Sequence, residues 1–199
     1  PTVDLRVEGV NGPITRVSPA SYTLSWVSKY ATTCSASSSD GSWTGSIVLS
    51  GTRAFASIPI GTHNYTVTCS NVSGTASDTV TVYVVAPLSG TISVTYARLL
   101  LFAPNLGQPA QTLSGTATGG EPPYTIAVHV RAPSGVEISL SRSGATWSAT
   151  PQNSGDINFG TTEQGIWTAW ADLTDSAGRT YRTSSVIWEV AWHPVHGQP

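Results

Sequence analysis

The segment HNYTVTCSNVSGTASDTVTVYVV, His63 to Val85, alternates apolar and hydroxyl side chains on either side of a Ser73-Gly74 turn. Successive side chains of a strand point to opposite faces, so this reads as a β-hairpin with one apolar face and one face of Ser and Thr. The same alternation recurs at Thr2–Val7 (TVDLRV) and Tyr22–Val27 (YTLSWV). Between the runs stand Asn11-Gly12-Pro13, Asp40-Gly41 and Pro59-Ile60-Gly61, each supplying a pre-set or positive φ where the chain reverses. Helical periodicity is nearly absent. Short strands at this spacing imply a sandwich or a barrel.

The pattern breaks at Ala86–Gly90 (APLSG), and a second series begins at Thr91. In it, Tyr124–Arg131 (YTIAVHVR) alternates with Tyr124, Ile126, Val128 and Val130 on one face. Gly165–Gly178 (GIWTAWADLTDSAG) enters a tight turn, and one long closing strand is expected from Arg179 to about Trp192. Set against Gly61–Gly74, the order is the same: glycine, a strand bearing an aromatic, a turn ending in glycine, a closing strand. Trp167 stands roughly where the first copy has Tyr65. Two copies of one architecture are therefore expected. The first domain covers 1–86, the second 90–192, and 193–199 is a C-terminal tail.

Composition removes several classes of function. Of the 199 residues 39% are hydrophobic, enough for a core, but only 10% are charged, against about 25% in typical globular chains. Nine basic residues against eleven acidic, with Lys29 the single lysine, give no basic field to attract nucleic acid or an anionic membrane. The apolar run Leu99–Ala103 is far shorter than the ~20 residues that span a bilayer, so no membrane insertion is expected. No charged-then-apolar leader opens the sequence. Without methionine and beginning at Pro1, it reads as a processed chain, a product of methionine removal or an excised piece.

Ser25-Trp26, Thr33-Cys34, Trp43–Gly45 (WTG) and Tyr65–Gly74 (YTVTCSNVSG) resemble the first-domain pattern of bacterial extracellular immunoglobulin-like repeats. Gly119–Tyr124 (GGEPPY) and Asp172–Gly178 (DLTDSAG) resemble repeats of the same kind in bacterial surface proteins, covering nearly the whole chain between them. The resemblance implies an all-β chain of two tandem immunoglobulin-like antiparallel β-sandwiches. It also implies a setting in adhesins, secreted hydrolases or phage virion proteins. The second copy departs from the first in having no cysteine, so packing alone must hold its core.

Cys34 and Cys69 invite a catalytic reading and a structural one. A nucleophilic cysteine needs a base, and only His63 is near Cys69 in sequence; six residues along a strand it lies roughly 20 Å away. No triad follows from that spacing. In the immunoglobulin arrangement that the resemblance implies, the two cysteines lie on neighbouring strands, and a disulfide is expected. Closing a loop of about 35 residues contributes nearly 4 kcal/mol on chain-entropy grounds. The bond implies oxidising surroundings: extracellular, on a cell surface or on a virion surface.

Other chemistry is thin, and no catalytic residue, metal ligand set or cofactor site is expected. Asp172 and Asp175 with Asp156 suggest a calcium loop, but without a D-x-D-x-D run an Asx-turn is the better reading. His193 and His196 have too few companions to hold a metal. Lys29, beside Tyr30 at a strand end, is expected to be exposed and not to enter an isopeptide bond. Asn64-Tyr65-Thr66 and Asn71-Val72-Ser73 match the glycosylation sequon. Trp26 is expected in the first core, and Val186, Trp188, Val190 and Trp192 as an inward stripe. If Trp167, Ala169, Ala171 and Leu173 point inward, Trp170 and Asp172 point outward beside His129 and Arg131. These four form the candidate contact surface, unless a loop or the first domain covers Trp170. The expected role is a non-catalytic structural and adhesive module. Its partner would be a protein or an assembly, with self-association or a surface glycan also open. The alternative, a carbohydrate-binding accessory module of a secreted hydrolase, requires two or three coplanar exposed aromatics.

Overall fold

A computed structural model of the chain describes residues 1–101, 111–150 and 164–192. The described chain is all β and divides into two compact units, Pro1–Pro87 and Leu88–Pro199. The first unit contains β1 (Thr2–Val7), β2 (Ile14–Val17), β3 (Ala20–Lys29), β4 (Thr33–Ser38), β5 (Gly45–Ile47), β6 (Ser50–Ile58), β7 (Gly61–Asn71) and β8 (Gly74–Val85). A three-stranded sheet, β1-β3-β6, faces a five-stranded sheet, β2-β8-β7-β4-β5. Between them lie Tyr22, Leu24 and Trp26 of β3, Tyr65, Val67 and Cys69 of β7, and Val80, Val82 and Val84 of β8, each alternating with exposed or half-buried neighbours.

The second unit contains β9 (Ser89–Val94), β10 (Arg98–Leu101), β11 (Leu113–Thr118), β12 (Thr125–Arg131), β13 (Glu137–Ser143), β14 (Thr146–Ala149), β15 (Gly165–Thr174), β16 (Thr180–Arg182) and β17 (Val186–Trp192). The plan repeats: β14-β11-β9 forms a three-stranded sheet and β10-β17-β15-β12-β13 a five-stranded one, with β16 also on β15. Both units are immunoglobulin-like sandwiches. Each departs from a purely antiparallel arrangement at one pair, β2 with β8 and β10 with β17, which run parallel.

The closing strand expected from Arg179 to Trp192 is broken into β16 and β17. At the break the Thr183 hydroxyl accepts the Ala171 N–H at 3.0 Å, while Thr183 N–H donates to the Ala171 carbonyl at 2.9 Å. A side chain takes the place of a ladder partner there, and Ser184 and Ser185 leave the sheet. Val186, Trp188 and Val190 form the inward stripe, Trp188 being 1% exposed. Leu99 joins the same core. Phe102 and Ala103 of the apolar run, Asp156, and the 193–199 tail with His193 and His196 lie outside the described residues.

Cys34 and Cys69 sit directly opposite each other on β4 and β7 and are bonded, with Cα atoms 4.1 Å apart. This disulfide joins two strands of one sheet. On the corresponding rung of the second unit Ile126 faces Leu173, both with no exposed surface. Counted from that rung, Trp167 is level with His63, and Ala169 with Tyr65. The tryptophan is thus two residues nearer the strand start than the sequence comparison placed it; the opening and closing glycines keep one register in the two copies, Gly61 with Gly165 and Gly74 with Gly178.

Each three-stranded sheet also sets a tryptophan over a glycine. Trp26 pairs with Gly51, and Trp147 with Gly115. A Cβ added to Gly51 would lie 2.9 Å from Trp26 Cζ2. One added to Gly115 would meet both the Thr91 carbonyl oxygen and the Trp147 ring, whose Cε2 is 2.6 Å away. Glycine is what lets the indole lie flat on the sheet.

Candidate functional site

The outward face of β12 and β15 carries the residues the sequence singled out. His129 and Trp170 are direct cross-strand partners, and their rings lie parallel within 5° with centroids 5.2 Å apart. His129 Nε2 approaches Asp172 Oδ2 at 3.2 Å, and His129 Nδ1 approaches Glu137 Oε1 at 3.1 Å. Arg131 reaches the other Glu137 oxygen at 3.0 Å. From β16, Arg182 binds both Asp172 oxygens, at 2.6 and 2.7 Å. The guanidinium carbons of Arg131 and Arg182 stand 5.1 and 5.8 Å from the Trp170 ring centre. All four expected residues are brought together.

The tryptophan points outward as expected but is only 9% exposed, so its ring does not offer a free contact area. The two arginines and His129 cover it. Two members of the cluster were missed in the sequence, Glu137 and Arg182. Ala132–Gly135 (APSG) is a turn signal, and reading it as a hairpin places Glu137 opposite Arg131, the pairing found. Arg182 had no comparable signal, because its position depends on the break after β16. Hydrogen bonding from Arg131 holds the Glu137 carboxyl below the usual carboxylate range, and bonding from Arg182 does the same for Asp172. The patch is therefore a set of fixed, mutually neutralised charges.

In the first unit the histidine near Cys69 has other work. His63 is 6% exposed, with Nδ1 3.1 Å from Asp40 Oδ2 and Nε2 3.0 Å from the Pro59 carbonyl. Asp40 also accepts from the Ser38 hydroxyl and from the N–H and hydroxyl of Ser42, and these bonds, that from the Ser42 hydroxyl foremost, keep its carboxyl well below the usual range. Beneath it the Tyr22 and Tyr65 hydroxyls meet at 2.6 Å, and burial pushes both upward in pKa. An Asp–His pair resembles half of a catalytic triad. Here Nε2, the atom that would take a proton from a nucleophile, is held by a backbone carbonyl.

GGEPPY and DSAG, far apart in sequence, form one clasp. Asp175, 4% exposed, accepts from the N–H groups of Glu121, Ala177 and Arg179 and from Arg179 Nε at 2.7 Å. Burial alone would raise its pKa, but these donors outweigh it and lower it. The Asx-turn reading holds, and the carboxylate oxygens are already committed, which leaves them poorly placed to bind calcium. Gly120, at φ +58, is needed because a Cβ would lie 2.5 Å from Asp175 Oδ2. Arg179 completes the clasp on Glu121 at 2.8 Å, and Tyr124 donates to the Gly119 carbonyl at 2.6 Å. Lys29 is exposed. No described helix is long and apolar enough to cross a membrane.

The chain matches no protein-family profile and no curated protein. Among solved structures, an I-band fragment of titin is 14% identical with a TM-score of 0.52, the match covering 90% of this chain and 62% of that one. The likeness is one of fold. Fibronectin(III)-like modules of CbhA from Clostridium thermocellum are 11% identical over 98% of both chains, with a TM-score of 0.39. A tetra-tandem repeat from the extending region of a large adhesion protein is 14% identical over 94% of this chain, with a TM-score of 0.48. The present chain spans 48% of that fragment.

Proposed function

We propose that the chain is a non-catalytic structural and adhesive module of a bacterial surface or phage virion protein. It acts through protein–protein contacts of its β-sandwich surfaces in an extracellular setting. One observation carries this reading: the groups best suited to chemistry are occupied by the fold. Both cysteines are bonded to each other, and both described histidines have both ring nitrogens against protein oxygens. The buried disulfide suits an oxidising compartment.

The contact surface proposed is the patch of Trp170, His129, Arg131 and Asp172, now with Glu137 and Arg182. What it presents to a partner is the two guanidiniums, with the indole as their support. Carbohydrate binding has less behind it. The most exposed aromatics among the described residues are Tyr30, Tyr83, Tyr96 and Tyr181, of which one lies on β8, one on β16 and two on loops, so they form no row on a sheet face.

Electron microscopy of source cells or particles, with an antibody raised against the purified chain, tests the setting; label on the outer surface is expected, and label confined to the interior overturns it. A panel of glycoside, ester and peptide substrates tests the rest. Turnover that survives Cys34→Ala, His63→Gln and His129→Gln would remove the observation on which the non-catalytic reading stands.

A further inference from the structure

Charged side chains from β12, β13, β15 and β16 meet on the outer face of the second unit, and their balance turns on one of them. Arg131 and Arg182 bring two positive charges. Glu137 and Asp172, with carboxyls held below the usual range, bring two negative ones at any pH above about 4. His129 decides the remainder. Its Nδ1 stands 3.1 Å from Glu137 and its Nε2 3.2 Å from Asp172. An ionised carboxylate only accepts, whereas a neutral imidazole donates from one nitrogen and presents a lone pair from the other. Both contacts are hydrogen bonds only when the ring is an imidazolium. Three positive charges then face two negative ones, and one positive charge is left over. The direct cross-strand partners of His129, Ser139 on β13 and Trp170 on β15, add no charge.

The indole beneath these charges carries a donor with nothing to donate to. Trp170 is 9% exposed, and its Nε1–H meets no acceptor among the described residues. Trp147 and Trp188 share that lack, but both belong to the apolar core of the second unit and Trp170 does not. The polar groups against its ring are an imidazole and two guanidiniums. The bonds to Glu137 and Asp172 use only part of the donors of the two guanidiniums. Spare donors, a surplus positive charge and an orphaned N–H occur together here, and one acceptor of single negative charge would satisfy all three.

We propose that this patch is a docking site for one carboxylate side chain of a protein partner, engaged when His129 is protonated. The inference rests on the contact surface proposed above and adds to it the chemistry of the partner and a control by pH. The guanidiniums already hold two carboxylates at 2.6 to 3.0 Å, and the same planar fork suits a third. A single carboxylate cancels the surplus charge. A phosphate dianion or a polyanion overshoots it, and the chain, with a net charge of −2, has no wider positive field to hold one. A uronic acid carries the same carboxylate, but the indole that would stack on its sugar ring is covered, which favours a peptide. As pH rises and the imidazolium gives up its proton, the surplus charge is lost and one carboxylate of the patch meets a lone pair, so the site weakens.

The test is an NMR titration of the whole 199-residue chain with the capped peptide acetyl-Gly-Glu-Gly-amide, reading the indole N–H resonance of Trp170, assigned with Trp170→Phe. At about pH 5.5 the resonance should move and saturate, and the peptide with Gln in place of Glu should leave it still. At about pH 8.5 the affinity should be about tenfold weaker, the worth of one unit charge at ~6 Å in a partly exposed site. Arg131→Gln and Arg182→Gln should each weaken the response, and His129→Gln should give one weak affinity at both pH values; the remaining amide resonances report that each variant is folded. No movement with the Glu peptide, or equal movement with the Gln peptide, overturns the carboxylate site. Equal affinity at the two pH values in the unaltered chain overturns the part given to His129. Tighter binding of an oligogalacturonate than of the peptide overturns the protein partner, and tighter binding of inorganic phosphate overturns the single charge. Neither location nor turnover is read here, so failure would leave the proposed function standing.

Discussion

Replacing both cysteines, Cys34→Ala with Cys69→Ala, isolates what the covalent bond contributes. The bond closes a separation of 35 residues within a unit of 87. Restricting the unfolded chain by a loop of that length is worth about 4 kcal/mol. The cysteines belong to the same buried core as Ala36, Val67, Trp26 and Trp43, and each truncation to alanine removes a single sulfur, so only a small cavity adds to the entropic loss. For a domain of this size each kcal/mol moves the midpoint by about 4–8 °C. The first unit should therefore melt roughly 15–30 °C lower. Differential scanning calorimetry of the whole chain reads this directly, and the cysteine-free second unit provides a transition that should not move. A shift below about 5 °C in the first transition would refute the loop-entropy argument. Equal shifts in both transitions would refute the independence of the two units.

Gly115→Ala should destabilise the second unit by about 3 kcal/mol, since the new methyl meets the Thr91 carbonyl and the Trp147 ring; thermal unfolding followed by tryptophan fluorescence checks this, and a loss below about 1 kcal/mol would mean that the indole slides aside at little cost. Trp170→Ala should cost about 2 kcal/mol, less than a core tryptophan because solvent can enter the space it leaves, while Arg131→Ala, at an exposed pair, should stay within about 0.5 kcal/mol in urea unfolding. Asp40, Asp172 and Asp175 have lowered pKa values in the fold, so they bind protons less readily folded than unfolded. Their stabilisation is complete above about pH 4 and is lost as pH falls through the folded values. Unfolding free energy should decline below that pH, and Asp175→Asn should flatten the decline of the second unit; an unchanged acid limb would show that the clasp is not its source.

Period-two alternation made the sandwich legible, because burial on one face writes itself into every second residue; Tyr65, Val67 and Cys69 and their hydroxyl neighbours are an instance. The cysteine pairing became legible once the strand order of the resembled repeats was supplied. Edge strands such as β2, β5 and β10 left little trace, since a strand of three or four residues is too short to show a period. The break between β16 and β17 was hidden because Thr183 uses its side chain where the backbone was expected. Outward orientation of Trp170 followed from parity alone. Its cover did not, because two of the side chains that form the patch come from β13 and β16, whose registers with β12 and β15 were needed first.

The outer faces of the two units differ in what they can offer a partner. In the first unit, cross-strand hydroxyls bond to one another, Thr33 with Ser70, Thr66 with Thr79, Thr68 with Ser77, at 2.8 to 2.9 Å. The three-stranded sheet of the second does the same with Ser89 and Thr118, Thr91 and Thr116, and Ser93 and Ser114. A hydroxyl already paired and also hydrated gains little from exchanging water for a partner, so these faces have weak drive to adhere. The β12–β15 face is of another kind. A free arginine loses about 2 kcal/mol of rotamer freedom when it is fixed. Arg131 and Arg182 are already held by Glu137, Asp172 and the Trp170 ring, so part of that loss belongs to folding. A partner carboxylate that met these guanidiniums would face a lower ordering cost than at an unrestrained arginine, though it would have to compete with the carboxylates in place. Specific contact by this chain is therefore favoured where charge has been fixed in advance, and disfavoured on the hydroxyl faces that make up most of its described sheets.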